Sequence, residues 1–159
     1  MGKKVIIFIG FTLLALLAQV YLVSWMTIEG IRPDFLLLVV IFVSRFEGKV
    51  VGQLFGFSVG LLTDAIGIGS FLGLSALSKT VSGFLGGFLK GQRSKMSPFS
   101  FHALNLFFIF LHFMIVFLVN YKGTDLGTQF IVLRYVLPST LYTGVFYIIV
   151  DSILMLQKR

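Results

Sequence analysis

Long apolar runs, separated by short polar or basic turns, make up most of the chain. A membrane-spanning helix needs about 20 apolar residues, because the hydrocarbon core is about 30 Å thick and a helix rises about 1.5 Å per residue. The runs that meet or approach this length cover residues 5–26, 50–66, 73–89, 99–119 and 128–156. We interpret each of them as a helix that crosses a membrane.

A further apolar segment, residues 35–43, is too short to cross a bilayer unless its flanks contribute. If it crosses, the chain is an all-α integral membrane protein, a bundle of six transmembrane helices of which the second is short. If the segment is re-entrant, five helices cross. The connections are all short, so we expect residues 1–159 to form a single transmembrane domain.

The basic residues predict the orientation, since short cytoplasmic loops carry an excess of lysine and arginine. In the six-span arrangement nine basic residues lie on one side and two on the other, and Lys79 and Arg134 lie within helices. The nine are Lys3, Lys4, Arg45, Lys49, Lys90, Arg93, Lys95, Lys158 and Arg159, and the two are Arg32 and Lys122. The five-span arrangement divides the same residues eight to three. We therefore expect six spans with both chain ends in the cytoplasm; five spans would place the N-terminus outside.

The composition excludes a water-soluble globular protein, since 57% of the residues are hydrophobic, 12% are charged and the mean hydropathy is +1.01. The formal charge of +7 does not indicate a nucleic-acid partner. Its basic residues stand in ones, twos and threes between apolar runs, whereas nucleic-acid binding needs them on one solvated face. The chain has no cysteine, which excludes disulfides and zinc–thiolate sites.

Small residues predict close packing between the third and fourth helices. Gly52, Gly56 and Gly60 recur every four residues and Asp64 continues the series, so all four lie along one helix face. Glycine lets two helix backbones approach, which matters in lipid because apolar burial gives no advantage between helices there. The turn and the fourth helix supply further small residues, among them Gly69, Gly73, Gly83 and Gly87. We predict a tight antiparallel pair within one chain, with a homodimer interface as the alternative.

Two charged residues lie close to this helical hairpin. Asp64 is near the end of the third helix and Lys79 is a few residues into the fourth, so the two could meet across the hairpin. Unpaired charges within a membrane helix are costly. We therefore expect either an internal ion pair or side chains that reach the interface, with a ligand or partner site as the alternative.

The tripeptide Arg32-Pro33-Asp34 predicts the outer start of the short second helix. Proline is preset for the first helical turn, and an aspartate is favoured beside the positive end of the helix dipole. We expect this capping role to account for Asp34. In the last helix, Asp151 lies near the inner end, where it would reach the interface or pair with Arg93.

The fifth helix carries a polar stripe of His102, Asn105, His112 and Asn120 within a sector of about 80°. We expect this stripe to face the bundle or a protein partner and to form interhelical hydrogen bonds. The phenylalanines of the same helix would then face lipid; they are Phe107, Phe108, Phe110, Phe113 and Phe117.

The acidic residues argue against an enzyme because they are scattered singly. They are Glu29, Asp34, Glu47, Asp64, Asp125 and Asp151. A membrane phosphotransferase would need several acids grouped around Mg²⁺, and a membrane protease would need a Ser/His or paired-Asp arrangement. We therefore expect no catalytic, cofactor-binding or metal-binding residues.

The order and spacing of these motifs resemble the rod-shape-determining MreD family. The resemblance rests on Arg32-Pro33-Asp34 before a leucine-rich short segment, on Gly52 and on the run of residues 56–64. The run of residues 69–74, followed by Ala76-Leu77, continues it through the hairpin. In motif terms it covers residues 32–91, and the remainder agrees in length, hydropathy and placement of the basic loops.

This resemblance implies a bacterial inner-membrane protein of the machinery that builds the lateral cell wall. Members of the family are understood to bind the bitopic, mostly extracytoplasmic MreC and to help connect it with the actin-like MreB and the wall synthases. They have no known catalytic activity. Their helical arrangement is similar to that of the substrate-binding components of energy-coupling-factor vitamin transporters.

Two functions follow from the resemblance: a non-enzymatic scaffold that helps maintain rod cell shape, or a transporter subunit that captures a vitamin. The transporter would need a hydrophilic cavity with several convergent polar groups. Near the outer face the sequence offers few of them, namely Asp64, Lys79, Arg134 and Asn120. This favours the scaffold.

Two loops are the expected contact regions of such a scaffold. The outer turn, residues 67–73, is small enough for a partner helix or extracytoplasmic segment to dock there. The basic loop, with Lys90, Arg93 and Lys95, would face cytoplasmic partners and anionic lipid headgroups, which attract each basic residue by about 1 kcal/mol.

Overall fold

A computed structural model describes residues 2–67 and 71–156, with side chains from residue 6 to residue 154 within those ranges. The helices are α1 (Gly2–Tyr21), α2 (Val23–Met26), α3 (Phe35–Glu47), α4 (Lys49–Ala65), α5 (Leu74–Gly86), α6 (Pro98–Asn120), α7 (Thr128–Ile131) and α8 (Leu137–Leu156). A 3₁₀ turn, Gly87–Leu89, extends α5, and a π-helical segment, Val132–Val136, joins α7 to α8. The predicted apolar runs are confirmed as helices, with bounds that agree within a few residues.

Side-chain caps and a glycine fix several of the helix ends. The predicted start of the short helix is confirmed, since Asp34 Oδ1 accepts a hydrogen bond from the Leu37 N–H at 2.7 Å. At the start of α6, Ser97 Oγ accepts from the Ser100 N–H at 3.1 Å. Only Gly48 separates α3 from α4, and its φ of +99° lies in the region that favours glycine.

Helix α3 is the central helix of the bundle. It packs against α1, α4, α5 and α8, and nine of its 13 residues are buried. A helix that is apolar around its whole circumference is covered either by other elements or by lipid, and here other helices cover most of it. The short apolar segment of residues 35–43 is thus part of a helix of 13 residues that extends to Glu47 and packs against its neighbours.

The largest apolar core lies between α3, α6 and the helical segments from α7 to α8. It consists of Leu37, Leu38, Ile41, Phe42, Ile109, Phe113, Ile131, Val136 and Tyr147. A smaller core joins α1 to α3 and α4 through Ala15, Leu36, Val40 and Val59. Helix α1 leaves most of its other described apolar side chains exposed.

The long helices run alternately between two ends of the bundle. In the antiparallel pair α4–α5, Gly52 faces Gly83 and Gly60 faces Ala76. We call one end the hairpin end; it comprises residues 27–34, 66–67, 71–73 and 121–127. The other, the basic end, comprises residues 47–49 and 87–97.

Within the described residues, Pro98–Asn120 and Thr128–Leu154 are long and apolar enough to cross a membrane. Ile6–Tyr21 is a shorter apolar helix. Helices α4 and α5 have 17 and 13 residues, at or below the length that a hydrocarbon core of about 30 Å requires. The count of six spans stays a prediction.

Candidate functional site

The backbones of α4 and α5 are in direct contact along the predicted glycine stripe. A Cβ atom added to Gly56 would fall on the carbonyl oxygen of Lys79, and one added to Gly60 would fall on the backbone of Ala76. From the other helix, a Cβ on Gly83 would meet the carbonyl oxygen of Gly52. Glycine is therefore required on both sides, and the tight antiparallel pair is confirmed.

The backbones of the two helices are also in direct contact at the basic end of this pair. A Cβ on Gly87 would fall on the Lys49 backbone at the start of α4, and one on Gly52 would also meet Ser44 of α3. The stripe thus packs inside the chain against α5 and α3, which leaves no room on it for a second copy. The alternative of a homodimer through these glycines is wrong for that reason.

Asp64 caps α5 from the end of α4. Its carboxylate accepts hydrogen bonds from the backbone N–H groups of Gly73 at 2.8 Å, Ser75 at 3.2 Å and Ala76 at 3.3 Å. The first N–H groups of a helix have no partner within it and carry the positive end of the dipole, so a carboxylate is stabilised there. Gly73 has a φ of +91° at this turn, whereas Gly69 lies outside the described residues.

Lys79 pairs with Asp34, so the expectation of an Asp64–Lys79 pair is wrong. The Lys79 Nζ atom lies 2.7 Å from Asp34 Oδ2, and the lysine side chain is 2% exposed. His112 Nε2 of α6 lies 3.4 Å from the same oxygen. Neither Lys79 nor Asp64 reaches the interface as the alternative supposed, because both are buried.

The role of Asp34 is therefore larger than the predicted cap. One oxygen holds the start of α3 and the other meets side chains of α5 and α6. The adjacent backbone is fixed by Gln19 of α1, whose Oε1 accepts from the Phe35 N–H at 2.9 Å and whose Nε2 donates to the Pro33 carbonyl at 3.2 Å. Thr143 Oγ1 of α8 accepts from the Asp34 N–H at 3.3 Å. Five helices thus meet at this carboxylate and its backbone.

A cavity of about 520 Å³ opens beside this cluster at the hairpin end. Asp34, Lys79 and His112 line its charged part, Arg32 lies on the loop that borders it, and Thr63 and Ser75 add hydroxyl groups. The lining also includes the aromatic residues Phe71, Phe113, Phe117 and Tyr121. This is a more polar cavity than the sequence predicted, because Asp34 and His112 were assigned to other roles.

A second buried cluster lies near the basic end, around Asp151 of α8. Its carboxylate oxygens lie 3.0 Å from Arg45 Nη2 and 2.6 Å from Arg93 Nη1, which confirms the predicted Arg93 contact. The Arg45 guanidinium lies 4.5 Å from the Phe101 ring centre and donates to Tyr147 Oη at 3.1 Å. The predicted alternative, exposure of Asp151 at the interface, is wrong because the residue is 3% exposed.

The basic loop does not present a common face. Arg93 turns inward to Asp151, and Lys90 Nζ donates to the Glu47 carbonyl at 2.9 Å. Lys95 is exposed. Of the three predicted loop residues, Lys90 and Arg93 therefore bind the loop to the bundle through their charged groups.

The polar stripe of α6 faces the bundle as predicted, since Asn105 and His112 are buried. The expected interhelical contact is present for His112, which reaches Asp34, but is wrong for Asn105, whose Nδ2 donates to the Phe101 carbonyl of the same helix at 2.7 Å. His102 lies near the basic cluster, with Nε2 3.9 Å from Asp151 Oδ2. The expectation that the phenylalanines face lipid is wrong for Phe108 and Phe113, which are buried in apolar cores.

Some contacts of the charged clusters join residues that are far apart in the sequence, and local patterns did not predict them. Asp34 and Lys79 are separated by 45 positions, and Arg45 and Asp151 by 106. The available signal was the presence of Arg45 and His112 within or beside apolar runs, since an ionisable group there requires a partner.

The family model of the rod shape-determining protein MreD matches residues 2–157, nearly the whole chain. The chain belongs to the MreD family. This match confirms the motif resemblance. It also confirms that the chain is a membrane protein with a role in rod shape determination. No curated protein and no solved structure gives a significant match.

Membership of the MreD family places the buried clusters in a shape-determining structural protein. In the described part of the chain, no group of three or more histidine, cysteine, aspartate or glutamate residues could hold a metal ion. The two charged clusters join lysine or arginine to single carboxylates, an arrangement that links helices to one another.

Proposed function

We propose that this MreD-family protein is a non-enzymatic membrane scaffold of the cell-wall elongation machinery that binds an MreC-like bitopic protein. Through that partner it would connect to MreB and the wall synthases. The family match over residues 2–157 carries the proposal. The packing supports it, since close backbone contact and buried ion pairs join α3, α4, α5, α6 and α8 into a firm frame.

We propose that the partner docks at the exposed tip of the α4–α5 hairpin. Leu72 is 85% exposed, and its neighbours Phe71 and Ile66 are also exposed. If this turn lies outside the membrane, exposed apolar side chains there are typical of a contact surface. The tip stands on the rigid glycine-packed pair, so a docked segment would be held in a fixed position.

The distribution of basic residues supports an orientation with the basic end in the cytoplasm. Arg45, Lys49, Lys90, Arg93 and Lys95 lie at or near that end, against Arg32, Lys122 and Arg134 at the hairpin end, where Arg134 pairs with Glu29 at 2.7 Å. We propose a multi-pass protein of the bacterial cytoplasmic membrane with both chain ends inside. The exposed Lys95 would then meet anionic lipid headgroups.

Affinity purification in a mild detergent from the native host tests the scaffold. The tagged protein should recover an MreC-like protein together with wall-synthesis proteins, identified by mass spectrometry. Leu72→Arg should reduce that recovery. Phe99→Arg is the matched control, because Phe99 is 83% exposed but lies at the opposite end of the bundle. If both variants recovered the MreC-like protein equally, docking at the hairpin tip would be refuted. If the unmodified protein recovered no MreC-like protein, the scaffold function would be refuted.

A second candidate is a substrate-binding subunit of an energy-coupling-factor type transporter. The observation that favours it is the cavity of about 520 Å³ with charged and hydroxyl groups at the hairpin end. In the same purification it predicts recovery of an ATPase pair with a transmembrane coupling protein, in place of wall-synthesis proteins.

A further inference from the structure

An apolar groove lies between α1 and α8, with α3 as its floor. Its volume is about 330 Å³, and all of the residues that line it are apolar. On α3 the lining extends from Phe35 to Phe46, which is about 17 Å along the helix. On α8 it includes Val150 and Leu154, both in the half of that helix nearer the basic end. The groove therefore follows the long direction of the bundle and has a wall on each side toward the basic end.

The lining of this groove differs from the close helix contacts elsewhere in the chain. Among the described residues, five phenylalanines line it and no glycine, serine or threonine does; they are Phe8, Phe11, Phe35, Phe42 and Phe46. Helix contacts in lipid depend on small residues and interhelical hydrogen bonds, as in the glycine contact between α4 and α5. Bulky rings keep a further helix backbone at a distance, whereas a flexible hydrocarbon chain can follow an irregular apolar surface. The lining therefore matches a hydrocarbon chain.

Basic residues lie at the mouth of the groove, at the basic end. Lys4 precedes the lining residue Phe8 by four positions, so the two residues lie on the same face of α1. Lys158 follows the lining residue Leu154 by four positions in the sequence. Both walls of the groove are thus followed by a lysine in the direction of the basic end.

The positive charge at this mouth exceeds the negative charge after ion pairing is counted. The chain ends carry four basic residues, Lys3, Lys4, Lys158 and Arg159. Asp151 of α8 is already paired with Arg45 and Arg93. Glu47, which follows the lining residue Phe46, neutralises at most one of the four. The remaining charge complements an anionic headgroup at the membrane surface.

We propose that the groove binds one acyl chain of an anionic phospholipid from the surrounding bilayer, with the phosphate at the basic mouth beside Lys4. The apolar lining selects the hydrocarbon chain, and the charge at the mouth selects the headgroup. This goes beyond the scaffold function and does not depend on it, because the hairpin tip at Leu72 does not line the groove.

Fluorescence quenching by brominated lipid tests the proposal in vesicles of phosphatidylcholine with a minor fraction of phosphatidylglycerol. The chain has one tryptophan, Trp25, and Trp25→Phe removes its signal. Phe11→Trp then reports on the groove, which Phe11 lines. Leu13→Trp is the matched control, because Leu13 does not line the groove and lies on the opposite side of α1 at nearly the same depth. The two native side chains are 53% and 56% exposed.

Bromine is placed on the acyl chains of either the phosphatidylglycerol or an equal amount of the phosphatidylcholine. Phe11→Trp should be quenched at least about fivefold more by brominated phosphatidylglycerol, the factor that corresponds to attraction by one basic residue. Leu13→Trp should be quenched equally by the two lipids. Equal quenching of Phe11→Trp by the two lipids would overturn the proposal. Absence of quenching would also overturn it, since a second copy of the chain would then cover the groove.

Two lysine variants of the Phe11→Trp chain locate the headgroup. Lys4→Gln should lower the ratio of quenching by the two lipids severalfold. Lys95→Gln makes the same change of charge on a loop that does not line the groove, so it should leave the ratio unchanged. An equal loss in both variants would assign the preference to the overall charge and refute the site. Recovery of the MreC-like protein reads out the scaffold separately, so either proposal can fail alone.

Discussion

Replacement of Gly56 by alanine tests the close packing on which the frame depends. The added methyl group would fall on the carbonyl oxygen and carbon of Lys79 and on the Thr80 nitrogen. These are backbone atoms of a packed helix, so no side chain can rotate away to make room. The two helices must separate or slide, which weakens contacts along the whole pair.

The matched control is Gly10→Ala in α1. Gly10 has no atom within 4 Å of the position that a Cβ would occupy. Alanine is a better helix former than glycine by about 1 kcal/mol, and this gain applies to both variants. The difference between them is therefore the overpacking cost, which is about 1–3 kcal/mol in well-packed cores.

The assay is reversible unfolding of both variants in mixed micelles, followed by far-ultraviolet circular dichroism. We expect Gly56→Ala to be less stable than Gly10→Ala by about 1–3 kcal/mol, near the upper end because the contacted atoms are backbone. The transition midpoint should move while its slope stays the same, since the exposed surface does not change. Equal midpoints for the two variants would refute the backbone contact between α4 and α5.

Three further predictions concern the charged clusters and the topology. Lys79→Met should destabilise the protein, by less than the figure of about 3–5 kcal/mol for a fully buried pair, because the Asp34 carboxylate is 17% exposed and keeps His112 beside it. Adding Asp34→Asn should restore part of the loss in the same unfolding assay. Arg45→Gln should cost more than Arg93→Gln, since the arginine side chains are 7% and 30% exposed and Asp151 keeps one partner in each variant; the reverse order would contradict the central role of Arg45. A tag at Met1 should be accessible only from the cytoplasmic side, and access from outside would favour five spans.

The helices and the α4–α5 pair could be predicted because both depend on local sequence. The apolar runs set the helix bounds, and the four-residue spacing of Gly52, Gly56 and Gly60 placed them on one face of α4. A matching set of small residues on the next helix made α5 the expected packing partner of α4. A short connection between the two then made the pair antiparallel.

The partners of the buried charges could not be predicted in the same way. Lys79 is 15 positions from Asp64 and 45 from Asp34, yet it pairs with Asp34. The hairpin brings Asp64 to the start of α5, where free backbone N–H groups satisfy it first. The choice therefore rests on how α3 docks between α1, α5 and α8, which no local pattern encodes.

The short length of α3 bears on the cavity beside its first residue. At about 1.5 Å per residue, its 13 residues span about 20 Å, some 10 Å less than a hydrocarbon core of about 30 Å. If α3 crosses the membrane, as we propose, and the shortfall lies at its first residue, the chain that leads into α3 runs at a depth where lipid offers its backbone no hydrogen-bond partner. Non-helical backbone at that depth is stable only where protein surrounds it or where it lines a polar cavity. Both conditions hold here: Gln19 binds the backbone at Pro33 and Phe35, while Arg32 and Asp34 line the cavity.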